Sequence, residues 1–319
     1  GRFDLNNKSL VVEIASNDGY LLQYFNQKGI PVLGIDPAAN VAEAAREKGV
    51  RTEVEFFGKN TAEKMVYLYG NANLLLGNNV LAHVPDINDF VKGVKVGLKE
   101  TGVVTFEFPH LMRLVEDCQF DTIYHEHFSY LSFTAVKKIF EKQGLEMFDV
   151  QELLTHGGSL RIFAKHIQDQ TKEISPKVSE LLIREEAAGM KTLNYYNDFQ
   201  ERVDQIKYAV WEFLIKARRE GKKVIGYGAA AKGNTLLNYC GVKGTDLIQF
   251  AVDASPHKQN RLLPASHIPV RDLNSITEFK PDYVIILPWN LKNEISEQLK
   301  YIRNWGGKFV TFIPELNVF

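Results

Sequence analysis

The stretch Val11-Val12-Glu13-Ile14-Ala15-Ser16-Asn17-Asp18-Gly19-Tyr20, answered by Gly34-Ile35-Asp36-Pro37, decides the fold. An apolar strand closes on the acidic Glu13, and Gly19 opens a helix six residues later. A second strand then ends on Asp36. Strand, turn, helix, strand is the opening of a parallel sheet covered on both faces by helices. The pattern restarts at 223–227, where an apolar run meets Gly228 and a helix of small residues up to Tyr239. Working outward, the first half predicts strands near 9–14, 32–36, 73–77 and 103–108, with helices near 20–28, 38–48, 60–69 and 86–98. The second half predicts strands near 223–227, 248–252, 282–287 and 308–312, with helices near 234–240, 273–278 and 292–302.

A chain of 319 residues is long for one α/β core and comfortable for two. The predicted architecture is therefore α/β: a first Rossmann-like domain over 1–170, a helical connector over 171–220, and a second, smaller Rossmann-like domain over 221–319. In the connector, Val203, Ile206, Val210, Phe213 and Leu214 share one helical face, and Gly221 stands where that helix would stop. Lys plus Arg is 38 against 39 for Asp plus Glu, which argues against a nucleic-acid partner. No apolar run reaches the roughly 20 residues of a membrane span, and the N-terminus lacks a signal-peptide layout, so a cytoplasmic protein without a membrane partner is expected. Two cysteines, Cys118 and Cys240, supply neither a disulfide framework nor a Cys-rich metal site. Oligomeric state is not legible.

The first turn suits an adenosyl ligand. A tight glycine turn lets backbone approach where a side chain would block it, and a carboxylate at the end of the second strand accepts ribose hydroxyls. NAD would need G-x-G-x-x-G to cradle its pyrophosphate, but Ala15 and Asn17 stand at glycine positions. S-adenosylmethionine (SAM) has no phosphate and does not need the cradle. Glu13, Ser16, Asn17, Gly19 and Asp36 are therefore candidate cofactor residues, together with Asn78 and Asn79 after the third strand. His83, a few residues on, is a candidate to meet a substrate. The competing reading is that Glu13 and Asp36 only cap turns.

The densest chemical cluster is Asp121-Thr122-Ile123-Tyr124-His125-Glu126-His127-Phe128-Ser129-Tyr130. Two histidines two apart do not share a helix face as the H-E-x-x-H zinc motif requires, and no third ligand is near, so no metal is expected. On a strand, His125 and His127 would share one face and Tyr124, Glu126 and Tyr130 the other. General base catalysis fits better, because histidine titrates nearest neutral pH. Glu126 would orient a histidine and a tyrosine would donate to a developing oxyanion.

These strings, with His156-Gly157-Gly158-Ser159-Leu160-Arg161, Gly226-Tyr227-Gly228-Ala229-Ala230-Ala231-Lys232-Gly233 and Leu287-Pro288-Trp289-Asn290, resemble SAM-dependent C-methyltransferases of nucleotide sugars, enzymes acting on dTDP-linked 4-keto deoxysugars. The resemblance runs from about residue 9 to the C-terminus. It implies that 1–170 is the SAM-binding methyltransferase domain and 221–319 binds the nucleotide sugar. It implies that His127 removes the C3 proton beside the C4 ketone, that the enolate takes the methyl group, and that Tyr124, Glu126 and His83 surround the sugar. The family also carries an N-terminal Cys-rich zinc module that this chain is expected to lack.

The second turn matches G-x-G-x-x-A with Asp253 after the next strand, by motif alone a better NAD signature than the first. An NAD-dependent oxidoreductase or a non-catalytic nucleotide-sugar-binding protein is thus the alternative. The resemblance implies instead that backbone N–H groups near Gly228, helped by Lys232, take the pyrophosphate of the sugar nucleotide, with Asn234, Asp253 and Asn290 as neighbours. Ser159 and Arg161 are candidates to face the substrate; Arg161 could equally be a structural ion pair.

Overall fold

The structure, a computed structural model, describes residues 2–319. The chain begins with β1 (Val11–Ile14), α1 (Leu22–Asn26), β2 (Val32–Ile35), α2 (Ala39–Glu47), β3 (Thr52–Glu53), α3 (Lys59–Tyr69), β4 (Ala72–Asn78), α4 (Ile87–Gly97) and β5 (Leu98–Pro109). It continues through α5 (Leu111–Glu116), α6 (Phe133–Lys142), β6 (Leu145–Leu153), β7 (Ser159–His166), α7 (Pro176–Ala187) and α8 (Phe199–Arg219). The remainder is β8 (Val224–Tyr227), α9 (Ala231–Cys240), β9 (Ala251–Val252), β10 (Val270–Arg271), α10 (Asn274–Phe279), β11 (Tyr283–Ile286), α11 (Lys292–Gln298), β12 (Lys308–Thr311) and β13 (Asn317–Val318). Among the described residues no helix is long and apolar enough to cross a membrane.

The chain divides into two compact units, one of residues up to Met112 with Glu126–Lys191, the other of Arg113–His125 with Thr192–Phe319. This is the expected α/β class, with the division drawn differently. The 171–220 stretch is shared out: α7 packs on β6 in the first unit, and α8 on α9 in the second. Residues 113–125 also belong to the second unit, although they follow β5 in sequence.

The first unit holds one sheet in the order β3-β2-β1-β4-β5-β7-β6. Its first five strands run parallel, and β7 is antiparallel to both β5 and β6. Both faces are covered, which explains why the strands read as nearly unbroken apolar runs. Val12, Leu75, Val104 and Phe106 pack towards Met65, Phe90 and Val94. Their neighbours Val11, Leu74 and Val103 pack towards Leu22 and Ala45 on the other face. Strand order reverses between β1 and β4, and the crevice at their carboxyl ends is where open sheets of this kind take ligands.

The turn at 156–158 leads into the strand β7, whereas β6 is not among the predicted strands. Glu146, Asp149 and Glu152 interrupt the apolar pattern of β6, and only pairing with β7 and packing under α7 make it a strand.

The second unit repeats the plan in the order β10-β9-β8-β11-β12-β13, parallel except for β13. Val203, Ile206, Val210 and Leu214 of α8 join its core, as their spacing predicts, and Gly221 follows with a left-handed φ of 69°.

Glu185 on α7 organises the first unit's edge. It is 1% exposed. One carboxylate oxygen meets His110 Nε2 at 2.7 Å and accepts the Phe133 N–H, and the other accepts the Thr134 N–H at 2.8 Å. Burial pushes this carboxyl pKa up, but the hydrogen bonds outweigh it and the net shift is downward. A lowered carboxyl pKa gives stability that is present above the unfolded value and lost as pH falls through the folded one. Glu185→Ala should therefore destabilise the protein at pH 7 by about 3–5 kcal/mol in urea unfolding. The gap from wild type should narrow as pH drops below about 4.5.

Candidate active site

The turn after β1 is built against backbone preference. Ala15, Asn17 and Gly19 all have left-handed φ values, of 56°, 50° and 75°. A Cβ at Gly19 would come within 3.0 Å of Val50, so the position admits only glycine without movement. Asp36, just beyond β2, holds the turn in place. Its Oδ2 accepts the Asn17 N–H at 3.0 Å, while Oδ1 accepts the Ala38 N–H at 2.9 Å ahead of α2. Each carboxylate oxygen keeps a second lone pair, so Asp36 can still accept ribose hydroxyls.

Around this turn lie unsatisfied groups. Glu13 is 1% exposed, and its Oε2 and the Ser16 hydroxyl are buried without hydrogen-bond partners. Burial, reinforced by the Asp36 charge, pushes the Glu13 carboxyl up to about 8. Asn78 ends β4 beside β1, and its side chain bonds the Tyr20 hydroxyl. Asn79 has φ 55°, donates its N–H to the Glu107 carbonyl at 2.8 Å, and sets its amide 3.1 Å from His156 Nε2. Its Oδ1 is likewise buried and unpartnered. A set of orphaned acceptors beside a glycine turn, with the acidic Glu13 and Asp36 among the residues, fits SAM, whose donors are an ammonium, hydroxyls and an amine and whose sulfonium is positive. All seven expected cofactor residues are thus brought to the carboxyl ends of β1, β2 and β4.

Residues 123–130 form neither helix nor strand, so neither facing pattern drawn from the sequence applies. The part from Glu126 onward lies on the turn after β4, with the Phe128 N–H donating to the Ala82 carbonyl at 2.8 Å. His83 and His127 stand edge to face at 4.8 Å, with Tyr130 5.7 Å beyond His127. His83 Nδ1 contacts the Glu126 carbonyl at 2.8 Å. A carbonyl only accepts, so Nδ1 carries the proton and donates it. Glu126 therefore orients a histidine, but through its main chain and at His83. Tyr124 and His125 fall in the other unit.

Ser159 and Arg161 lie on β7, and their contacts are internal. The Ser159 hydroxyl donates to the Thr155 carbonyl at 3.0 Å. Arg161 Nη2 donates to Glu107 Oε2 at 2.6 Å, leaving the arginine side chain 39% exposed. Glu107, which also accepts the Thr155 hydroxyl at 2.7 Å, was missed from the sequence. Its signal was a charge inside the apolar strand Val103-Val104-Thr105-Phe106-Glu107-Phe108.

The second unit's turn follows the same plan. Asp253 accepts the Ala229 N–H and the Ser255 N–H, both at 2.8 Å, as Asp36 holds the first turn. Gly228 has φ 93°, and a Cβ there would meet Pro288 at 2.6 Å. Lys232 donates to Asn290 Oδ1 at 3.1 Å and lies 4.6 Å above the Trp289 ring. Asn234 Oδ1 is buried and unpartnered. All five expected residues of this turn thus meet within one unit.

Glu13 generates a pH prediction. A carboxyl pKa raised by folding contributes stability that is full below about 4.5 and lost as pH rises through about 8. The ligand-free protein should therefore lose Tm between pH 5 and 9, in the order of a few degrees. Glu13→Gln should flatten that decline in thermal melts across the range.

The family described as "C-methyltransferase C-terminal domain" matches residues 154–314, and "Methyltransferase domain" matches residues 2–150. C-methyltransferase NovU of Streptomyces niveus is 37% identical over 317 residues, covering 99% of this chain and 75% of that protein. A ubiquinone biosynthesis O-methyltransferase of Rhodopseudomonas palustris is 27% identical over 110 residues, 32% of this chain and 44% of its own. A SAM-dependent methyltransferase structure from Anabaena variabilis, 14% identical, covers 52% of this chain and 80% of that one with a TM-score of 0.42. The chain belongs to the C-methyltransferase family and is a SAM-dependent methyltransferase.

Proposed function

We propose that this methyltransferase methylates the carbon beside the ketone of a nucleotide-linked 4-keto deoxysugar, a dTDP sugar by its resemblance, with His127 as the base. The observation that carries the reading is the His83–His127 pair on the turn after β4. That turn directly follows Asn78 and Asn79, so a base and the cofactor residues share one edge of one sheet. An unactivated carbon does not attack a methyl donor; it must first lose a proton, and a ketone beside it makes that loss accessible at neutral pH. Bound SAM supplies an electrophilic methyl carbon on a sulfonium.

In this reading His127 accepts the C3 proton, and the C–H electron pair becomes the enolate of the C4 ketone. That pair would form the bond to the methyl group that SAM, held by the Gly19 turn and Asp36, would supply, with the sulfur retaining the electrons of its former bond. His83 and Tyr124 hold the sugar hydroxyl and the enolate oxygen. Glu126 fixes His83 through its carbonyl. Arg161, anchored by Glu107 yet partly exposed, faces the substrate with Ser159 behind it. In the second unit the Gly228 turn takes the diphosphate, with Lys232 neutralising charge and Asn234, Asp253 and Asn290 around it. The acceptor-lined first turn and the cation-bearing second turn support this allotment, because SAM is cationic at sulfur and the sugar nucleotide is anionic.

Two measurements test it. Titration with S-adenosylhomocysteine should give one site, weakened at least tenfold in Asp36→Ala. His127→Ala should keep that binding and lower kcat on a dTDP-linked 4-keto deoxysugar by about 100- to 10,000-fold. Full turnover in His127→Ala would move the role to another residue, with His83→Ala the next variant to assay.

A further inference from the structure

Residues 113–125 precede the base in sequence and pack wholly within the second unit. Arg202 donates to the carbonyls of Val115 at 2.8 Å and Glu116 at 2.6 Å, and the Phe120 ring lies 5.0 Å from Tyr239. Asp121 makes a different kind of contact. It is fully buried, its Oδ2 accepts the Trp289 indole N–H at 2.8 Å, and its Oδ1 has no hydrogen-bond partner. A buried carboxylate is costly unless a charge compensates it. Burial pushes the Asp121 carboxyl up to about 6, and the charge that opposes this is Lys232, which lies over the same indole ring. Lys232 is also the second residue of α9, in the turn that carries Gly228 and Gly233. One cation therefore answers to Asp121 and, when the turn is filled, to a diphosphate.

We propose that Asp121 is a positioning residue that couples occupation of the Gly228 turn to the conformation of residues 122–128. The proposal rests on the reading of that turn as a diphosphate site. Coulomb attraction falls with separation and is stronger in a partly desolvated site than in water. A diphosphate beside Lys232 draws the ammonium towards itself and loosens its hold on Asp121. The carboxylate then relies on the Trp289 N–H, and the backbone that carries it resettles. Three residues downstream of Asp121 is Tyr124, and six downstream is His127. Ile123 and Phe128 are 45% and 62% exposed, so little apolar packing opposes such a shift.

Hydrogen–deuterium exchange of the full chain, with thymidine diphosphate as the probe, tests this. In the wild type, saturation should change exchange across 122–128 by fivefold or more. Asp121→Ala should bind the probe with Kd within threefold of wild type and lose that response. Trp289→Phe, which keeps the ring under Lys232 and removes only the indole donor, should do the same, and it decides alone if Asp121→Ala does not fold. A purely structural role would lower Tm and leave the ligand response intact. The coupling is overturned if the wild type binds without a change at 122–128, or if the response survives in a folded variant. Failure of the wild type to bind thymidine diphosphate while it binds S-adenosylhomocysteine removes the diphosphate site itself, and the coupling with it.

Discussion

A carboxylate at the end of one strand, gripping a backbone N–H in the turn of the next, is the contact on which both halves of this enzyme depend. Asp36 holds Asn17 and Asp253 holds Ala229. In the first turn, two non-glycine residues sit in the left-handed region, at a cost of roughly 1–2 kcal/mol each. Such backbone persists only where its surroundings over-determine it. Asp36 supplies that determination and in exchange presents its remaining lone pairs at the sheet edge. The helix that follows each turn and the register of the strands beside it take their places from this contact.

From that common device the two turns diverge in charge. The first gathers Glu13 and Asp36 with the acceptor Asn79, and the cost shows in Glu13, driven towards its neutral form by burial and by Asp36. A phosphate placed there would meet carboxylates at close range, whereas a sulfonium would relieve their repulsion. The second turn places Lys232 beside the helix start, and burial presses its pKa downward. An anion beside it would push that pKa back up. One backbone plan thus carries two different charge patterns, because a few side chains, not the fold, set the sign of the field.

The parts written in local chemistry were legible in the sequence. The β1 turn, Asp36 and the Gly228 turn each depend on residue types at fixed short spacings, which physics ties to one conformation. The apolar face of α8 was legible for the same reason. What escaped depends on pairing distant in sequence. Glu107 gains its meaning from Arg161 and Thr155, which are far along the chain. Glu185 looks like one more surface charge on α7 until β5 brings His110 to it. Asp121 was read only as the start of a histidine cluster, because nothing near it announces Trp289 as its partner. The histidines themselves were read as helix or strand, the only regular periodicities available, whereas an irregular segment pinned by His83 and Ala82 holds them.

That irregular segment is held at its ends. Upstream, Arg202 and Trp289 bind residues 115–121 in the second unit. Downstream, Glu185 takes the N–H groups of Phe133 and Thr134, and Ser132 caps α6 through the Ala135 N–H. Between them the chain crosses from one unit to the other at His125–Glu126. Between those anchors the stretch is irregular and is pinned by His83 and Ala82. In the proposed reading His127 sits on this stretch, so its geometry follows from those contacts and from the anchors at either end.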